Sequence, residues 1–110
     1  MIEKTICDYL SEQLDCPVMP EKNGRPYGRS VFVERTGGRG QFLRETTIAI
    51  QSYGASLYEA AELNEAVLAA MPGLIALDEI TRVELNQNYN YTDTTTKEYR
   101  YQAVFDITHY

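Results

Sequence analysis

The sequence predicts an α+β fold with the element order α-β-β-α-β-β. Two segments carry apolar residues at helical spacing, and four others alternate apolar and polar residues as half-buried strands do. The four strand segments form two hairpins separated by the second helix. We therefore expect a largely antiparallel four-stranded sheet with two helices packed on one face. The length of 110 residues and the 44% hydrophobic content fit one domain over residues 1–110.

The first predicted element is an amphipathic helix over residues 2–14. Isoleucine and leucine recur there every four positions, and Pro17 prevents the helix from continuing. Residues 17–28 hold three prolines and two glycines and are predicted to be a loop or an irregular edge segment. Cys7 and Cys16 do not form the Cys-x-x-Cys pattern of a zinc site, and in a reducing compartment we expect two free thiols, although a disulfide between them stays possible.

The first predicted hairpin joins strands at residues 30–36 and 46–53. Val31 and Val33 lie on one face of the first strand, and the second strand alternates in the same way. The Gly-Gly-Arg-Gly run at residues 37–40 is predicted to be the turn, with Arg39 at its tip. This run suggests a phosphate-binding loop, but it lacks the Lys-Ser/Thr pair and leads into a strand rather than a helix N-terminus.

The second predicted helix begins after Ser56 and ends before Pro72. Ser56 and Glu59 have the spacing of a capping box, in which the serine side chain accepts a hydrogen bond from the third helical amide. The predicted core stripe of this helix consists of Leu57, Ala60, Ala61, Asn64, Val67, Leu68 and Met71. The opposite face carries glutamates and is expected to be exposed.

The second predicted hairpin joins strands at residues 80–88 and 98–109 through a polar turn at residues 88–96. Val83 and Leu85 alternate with polar residues, which predicts a half-buried strand. The final strand shows the clearest alternation in the chain, with aromatic and aliphatic side chains on one face. We expect His109, the only histidine, on the surface of the sheet.

No group of residues has the pattern of a catalytic or metal site. The single histidine stands apart from any serine or cysteine in a nucleophile setting, which argues against a catalytic triad. The turn at residues 88–96 contains Asp93 but lacks the spaced carboxylates of a calcium loop. We therefore expect no enzyme activity, no cofactor and no bound metal. A small-ligand-binding module at this turn is an alternative from a different functional class.

Charge is unevenly distributed along the chain, whose formal net charge is −6. Residues 1–55 hold equal numbers of basic and acidic groups, whereas residues 56–110 hold nine acidic and three basic groups. The acidic total disfavours a nucleic-acid binder. This segregation allows a basic surface of one copy to meet an acidic surface of the next, although pairing within one chain is equally open. The candidate interface residues are Arg35, Arg39, Arg44, Glu59, Glu62, Glu65, Tyr89, Tyr91 and Tyr110.

Two segments carry a resemblance to a known family. The run TIAIQSYGASLYEAAELNEAV at residues 47–67 and the run YRYQAVFDIT at residues 99–108, within the α-β-β-α-β-β order, resemble the small tail-completion or tail-terminator proteins of long-tailed bacteriophages and prophages. The resemblance implies a structural protein that forms a hexameric ring, caps the tail tube and joins it to the head connector. A head-tail connector or adaptor on the portal side is the alternative within the same class.

The resemblance also implies where the protein acts and what it meets. Its partners would be further copies of itself, the tail tube protein and the head-tail connector protein, while DNA would pass through the lumen without specific binding. No apolar stretch reaches the length of a membrane span, and the N-terminal residues do not form a signal peptide. We therefore expect synthesis in the host bacterial cytoplasm and incorporation into the tail or neck of the virion.

Overall fold

The computed structural model describes residues 1–20 and 28–110. In these residues five strands form one sheet in the order β1-β2-β3-β5-β4, and two α-helices pack against it. The elements are α1 (Ile2–Gln13), β1 (Val18–Met19), β2 (Ser30–Arg39), β3 (Arg44–Gly54), α2 (Leu57–Ala70), a 3₁₀ helix (Met71–Ala76), β4 (Ile80–Asn90) and β5 (Tyr99–His109). The predicted α+β class with two helices is confirmed. Neither helix within the described ranges is long and apolar enough to cross a membrane.

The sheet has five strands and is mixed, whereas the sequence predicted four largely antiparallel strands. Strands β2, β3, β5 and β4 pair antiparallel, but β1 pairs parallel with β2 through Val18 and Met19. Two residues between Pro17 and Pro20 are too few to show an alternating pattern, so periodicity could not reveal this strand. The remainder of the predicted loop at residues 17–28 lies largely outside the described residues.

The strand order places β5 between β3 and β4. Because both neighbours run antiparallel to β5, β3 and β4 are parallel to each other and α2 connects them as a crossover over β5. Every residue from Arg44 to Gly54 pairs with a residue of β5, from His109 to Tyr99. The strand with the clearest alternation in the sequence therefore lies inside the sheet, with β3 on one side and β4 on the other.

The core lies between the two helices and one face of the sheet. Its main fully buried side chains are Ile6, Leu10, Val31, Val33, Ile48, Ile50, Leu63, Val67, Met71, Leu74 and Ile107. The predicted stripe of α2 is largely correct, but it omitted Leu63 and included Leu57, which is 41% exposed. Leu57 is the first residue of α2, and part of this first helical turn lies beyond the edge of the core. The buried Asn64 exchanges two hydrogen bonds with Asn88, which satisfies both amides.

His109 is buried in the core face of the sheet, so the expected surface position is wrong. The Thr46 hydroxyl lies 2.7 Å from Nε2, and Nδ1 lies 3.1 Å from a main-chain oxygen of Tyr110. The tautomer in which Nδ1 donates and Nε2 accepts satisfies both bonds. His109 continues the alternation of the buried residues Phe105 and Ile107, so its side chain lies on the core face of β5.

Candidate subunit-interaction surfaces

The β2–β3 hairpin extends beyond the core as a basic arm. The last six residues of β2 are all exposed, although its first four are buried. We call residues 35–44 the basic hairpin, because they include Arg35, Arg39 and Arg44 and no acidic residue. The molecule is correspondingly elongated, with extents of 42 × 25 × 23 Å.

The turn of this hairpin lies three residues later than predicted. Residues Gly37, Gly38 and Arg39 continue β2 and pair with Thr47, Thr46 and Glu45, after a bulge at Thr36. The turn itself is Gly40-Gln41-Phe42-Leu43. Gly40 has φ +93°, and a side chain there would overlap the Leu43 carbonyl, so this position requires glycine. Arg39 therefore ends a strand and does not occupy the tip.

Two apolar side chains occupy the true turn. Phe42 is 87% exposed, more than any other large hydrophobic residue that the structure describes, and Leu43 is 47% exposed. Neither residue was among the candidate interface residues predicted from the sequence. The available signal was a Phe-Leu pair between two glycine-rich and polar stretches, where no strand or helix periodicity assigns it to the core.

The arginines of the basic hairpin do not pair with the acidic face of α2 in this chain. Arg39 lies 3.4 Å from Glu45 on the neighbouring strand, and Arg35 lies 3.8 Å from Glu3 on α1. Arg44 has no ion pair within the described residues. The Arg39–Glu45 pair is exposed on both sides and worth about 0–1 kcal/mol, so it leaves the charge of Arg39 available for other contacts, whereas the Arg35 guanidinium faces the largely buried Glu3 carboxylate.

One face of the basic hairpin forms a shallow, open concavity of about 680 Å³. Its lining is polar and consists of Arg35, Thr36, Gly37, Gly38, Arg39, Gly40, Gln41, Arg44 and Thr46. Three guanidinium groups around an open surface form a docking area for carboxylates rather than an enclosed site for a small apolar ligand.

The candidate glutamates of α2 have two different roles. Ser56 caps α2 as predicted, since the Glu59 amide donates to its hydroxyl at 3.1 Å. The Glu59 carboxylate reaches one residue further back than the expected capping box, and accepts from the Ala55 amide at 3.2 Å. The Glu59 carboxylate is therefore engaged in a hydrogen bond at the N-terminus of α2. Glu62 and Glu65 are exposed and follow Tyr58 at helical spacing. We call Tyr58, Glu62 and Glu65 the acidic stripe.

The basic hairpin and the start of the acidic stripe lie at opposite ends of the sheet. Strand β3 leaves the hairpin turn at Arg44 and ends at Gly54, which corresponds to about 33 Å of extended chain. The first turn of α2 packs on that far end, since a Cβ on Gly54 would lie 2.9 Å from the Glu59 carbonyl carbon. The hairpin of one molecule therefore cannot reach Tyr58 of the same molecule.

The three candidate tyrosines divide between the same two ends. Tyr89 and Tyr91 form an edge-to-face pair with centroids 5.8 Å apart, and the Arg100 guanidinium lies 4.4 Å from the Tyr91 centroid. Tyr89, near the end of β4, and Tyr91, directly after it, lie opposite the beginning of β5 and far from the hairpin turn. Tyr110 is 64% exposed and follows His109, which pairs with Arg44 at the base of the hairpin.

The polar turn before β5 uses its carboxylate to hold its own backbone. Asp93 accepts hydrogen bonds from the amides of Thr95 at 2.9 Å and Thr96 at 3.4 Å. The bond from the Thr95 amide is the main cause that lowers the pKa of Asp93 below its ordinary value. Across residues 1–20 and 28–110, no group of three or more histidine, cysteine, aspartate or glutamate side chains could hold a metal ion.

Comparison with known proteins does not assign the chain to a family. No protein-family model matches it, and no curated protein matches it significantly.

Proposed function

We propose that this protein is a structural subunit of a phage tail or neck, which assembles with copies of itself into a ring that caps the tail tube and joins it to the head connector. The resemblance of residues 47–67 and 99–108 to tail-terminator proteins is the starting point. The observation that carries the proposal is the placement of a basic hairpin at one end of the molecule and an acidic stripe that begins at the other.

Two different, complementary surfaces on one chain favour head-to-tail association. The hairpin of one copy meets the helix of the next, and an open chain of copies keeps one free surface at each end until it closes. A heterologous contact gives a ring when its rotation closes and an open filament when it does not. The hexameric ring is the closed form that the family resemblance implies.

The charges of the two surfaces make this association sensitive to salt. Exposed ion pairs contribute little one at a time, but several that form together add both affinity and orientation. At physiological ionic strength the screening length is about 8 Å, so higher salt weakens contacts that remain partly solvated. Assembly that weakens as salt increases is therefore the expected behaviour.

Light scattering coupled to size-exclusion chromatography tests the proposal, over a range of protein and salt concentrations. We expect monomers at high salt and closed oligomers at low salt, which negative-stain microscopy shows as rings. Tail tubes assembled from purified tube protein are then incubated with the oligomer. Binding to the tube end supports a terminator, and binding to connector complexes alone supports the portal-side adaptor. A monomer that binds neither structure contradicts the proposal.

A further inference from the structure

We infer that Phe42 is the aromatic anchor of the contact between copies, and that it docks beside Tyr58 on α2 of a second copy of this chain. This inference rests on the proposed self-assembly and adds the residues that hold it together. It combines three observations: an apolar tip on a basic arm, an aromatic residue beside two carboxylates, and a separation that prevents the two from meeting within one molecule.

The hairpin tip has the composition of an anchor. Phe42 is 87% exposed and Leu43 47% exposed, and the charged strand ends Arg39 and Arg44 flank the turn. Burial of large apolar side chains at the centre of a contact, with polar groups at its rim, is the arrangement that gives most binding energy in protein interfaces. Cross-strand pairing of Arg39 with Glu45 holds the base of the turn in place before binding.

The first turns of α2 offer a matching surface. Tyr58 is 77% exposed and Leu57 is 41% exposed, so two neighbouring apolar side chains stand at the helix start. Glu62 follows Tyr58 by one helical turn and Glu65 by two, on the same side of the helix. An aromatic ring beside two carboxylates complements an aromatic ring between two guanidinium groups.

A second copy of the chain is the occupant that the charges favour. The basic hairpin carries three arginines and no acidic residue, and the acidic stripe is exposed on the same polypeptide. The main competing contact, sheet extension at the outer edge of β4, is disfavoured by two bulges, between Ile80 and Arg82 and between Leu85 and Gln87. Bulges of this kind protect edge strands from pairing with other chains.

The absence of tryptophan from the chain provides a direct probe. A Phe42→Trp variant places the only tryptophan at the hairpin tip, where its emission reports on solvent exposure. We mix this variant, also carrying Tyr58→Ala, with a Phe42→Ala partner that has an intact acidic stripe. The first protein then has a tip and an altered helix surface, while the second has the helix surface and no tip. We expect the emission to move to shorter wavelength and to saturate at a ratio of one to one.

A partner that carries both Phe42→Ala and Tyr58→Ala is the matched control. With this partner, the concentration that gives a half-maximal emission change should be at least about 10-fold higher, since the partner lacks the aromatic surface. In the otherwise native chain, Phe42→Ala should weaken self-association on the order of 100-fold. This is the effect expected when one phenylalanine side chain is no longer buried in the contact. Leu43→Ser and Leu85→Ser provide a second matched pair, because these leucines are 47% and 48% exposed and only the first is at the tip.

The outcomes separate this inference from the proposed function. Rings that form equally well with Phe42→Ala, or an emission change that does not depend on Tyr58, overturn the anchor while leaving the ring intact. A one-to-one emission change that depends on Tyr58, in a protein whose oligomers never close into rings or bind tubes, supports the anchor and contradicts the proposed function. Circular dichroism of each variant establishes that it is folded before mixing.

Discussion

Charge reversal on the basic hairpin should prevent assembly without unfolding the subunit. We consider the double variant Arg39→Glu/Arg44→Glu. Arg39 is 81% exposed and pairs only with the 44% exposed Glu45, and Arg44 has no ion pair within the described residues. The free energy of unfolding should therefore fall by no more than about 1–2 kcal/mol, because only Arg39→Glu faces a carboxylate within the subunit, that of Glu45.

The effect on association should be much larger. Each reversal replaces an attractive contact of about 0.5–1 kcal/mol with a repulsion of similar size, so two reversals cost about 2–4 kcal/mol of association free energy. This cost corresponds to a loss of roughly 30- to 1000-fold in affinity. Sedimentation velocity at low and high salt measures it, and the difference from the native chain should shrink as salt screens the charges.

Two further variants make this prediction specific. Glu62→Lys/Glu65→Lys, combined with the reversed hairpin, should restore part of the association. A second double variant, Arg82→Glu/Lys97→Glu, changes the net charge by the same amount on β4 and the turn that follows it, and should assemble almost normally. The reasoning is refuted if the reversed hairpin assembles like the native chain at low salt, and the tyrosine candidates then become the better interface.

Other predictions concern the fold and its surroundings. Ser56→Ala removes the helix cap and should lower stability by about 1 kcal/mol in thermal denaturation. Asn64→Leu leaves the Asn88 amide without its side-chain partner and should cost about 1–3 kcal/mol, measured by urea unfolding. Burial raises the pKa of the Cys7 thiol to about 11, so alkylation of the folded protein at pH 8 should be slower at Cys7 than in the unfolded chain. The assembled ring should bind duplex DNA weakly, because DNA is expected to pass through its lumen without specific binding, and tight, salt-sensitive retardation in a gel would contradict this expectation.

Sequence periodicity predicted the elements that pack against a large core. Helices α1 and α2 and the paired part of β3 and β5 repeat apolar residues at a regular spacing, and the structure has them close to the predicted bounds. Strand β1 was not predicted because two residues are too few to show the alternation of apolar and polar residues. The first turn was predicted too early because Gly37 and Gly38 suggested the end of the strand. In the structure these residues pair with Thr47 and Thr46, which keeps the strand extended.

The candidate site was partly predictable for a related reason. Charge can be counted along a sequence, so the basic hairpin and the acidic helix face were identified from composition alone. The placement of the start of α2 at the end of the sheet opposite the hairpin depends on the direction of β3 and on the packing of α2 against Gly54, which are properties of the fold. Phe42 was missed because a single aromatic residue forms no periodic pattern. Its exposure becomes evident only when the position of the turn is known.

The position of β5 in the sheet has a consequence for how the protein folds as it is synthesised. Strands β2 and β3 are joined by a short turn and can pair as soon as both have left the ribosome. Strand β5 follows all the others in the chain, yet β3 and β4 both depend on it as a neighbour, and its pairs with β3 join residues more than forty positions apart. Non-local pairing of this kind is slow compared with hairpin formation. The basic hairpin can therefore form in a nascent chain whose central sheet is still incomplete.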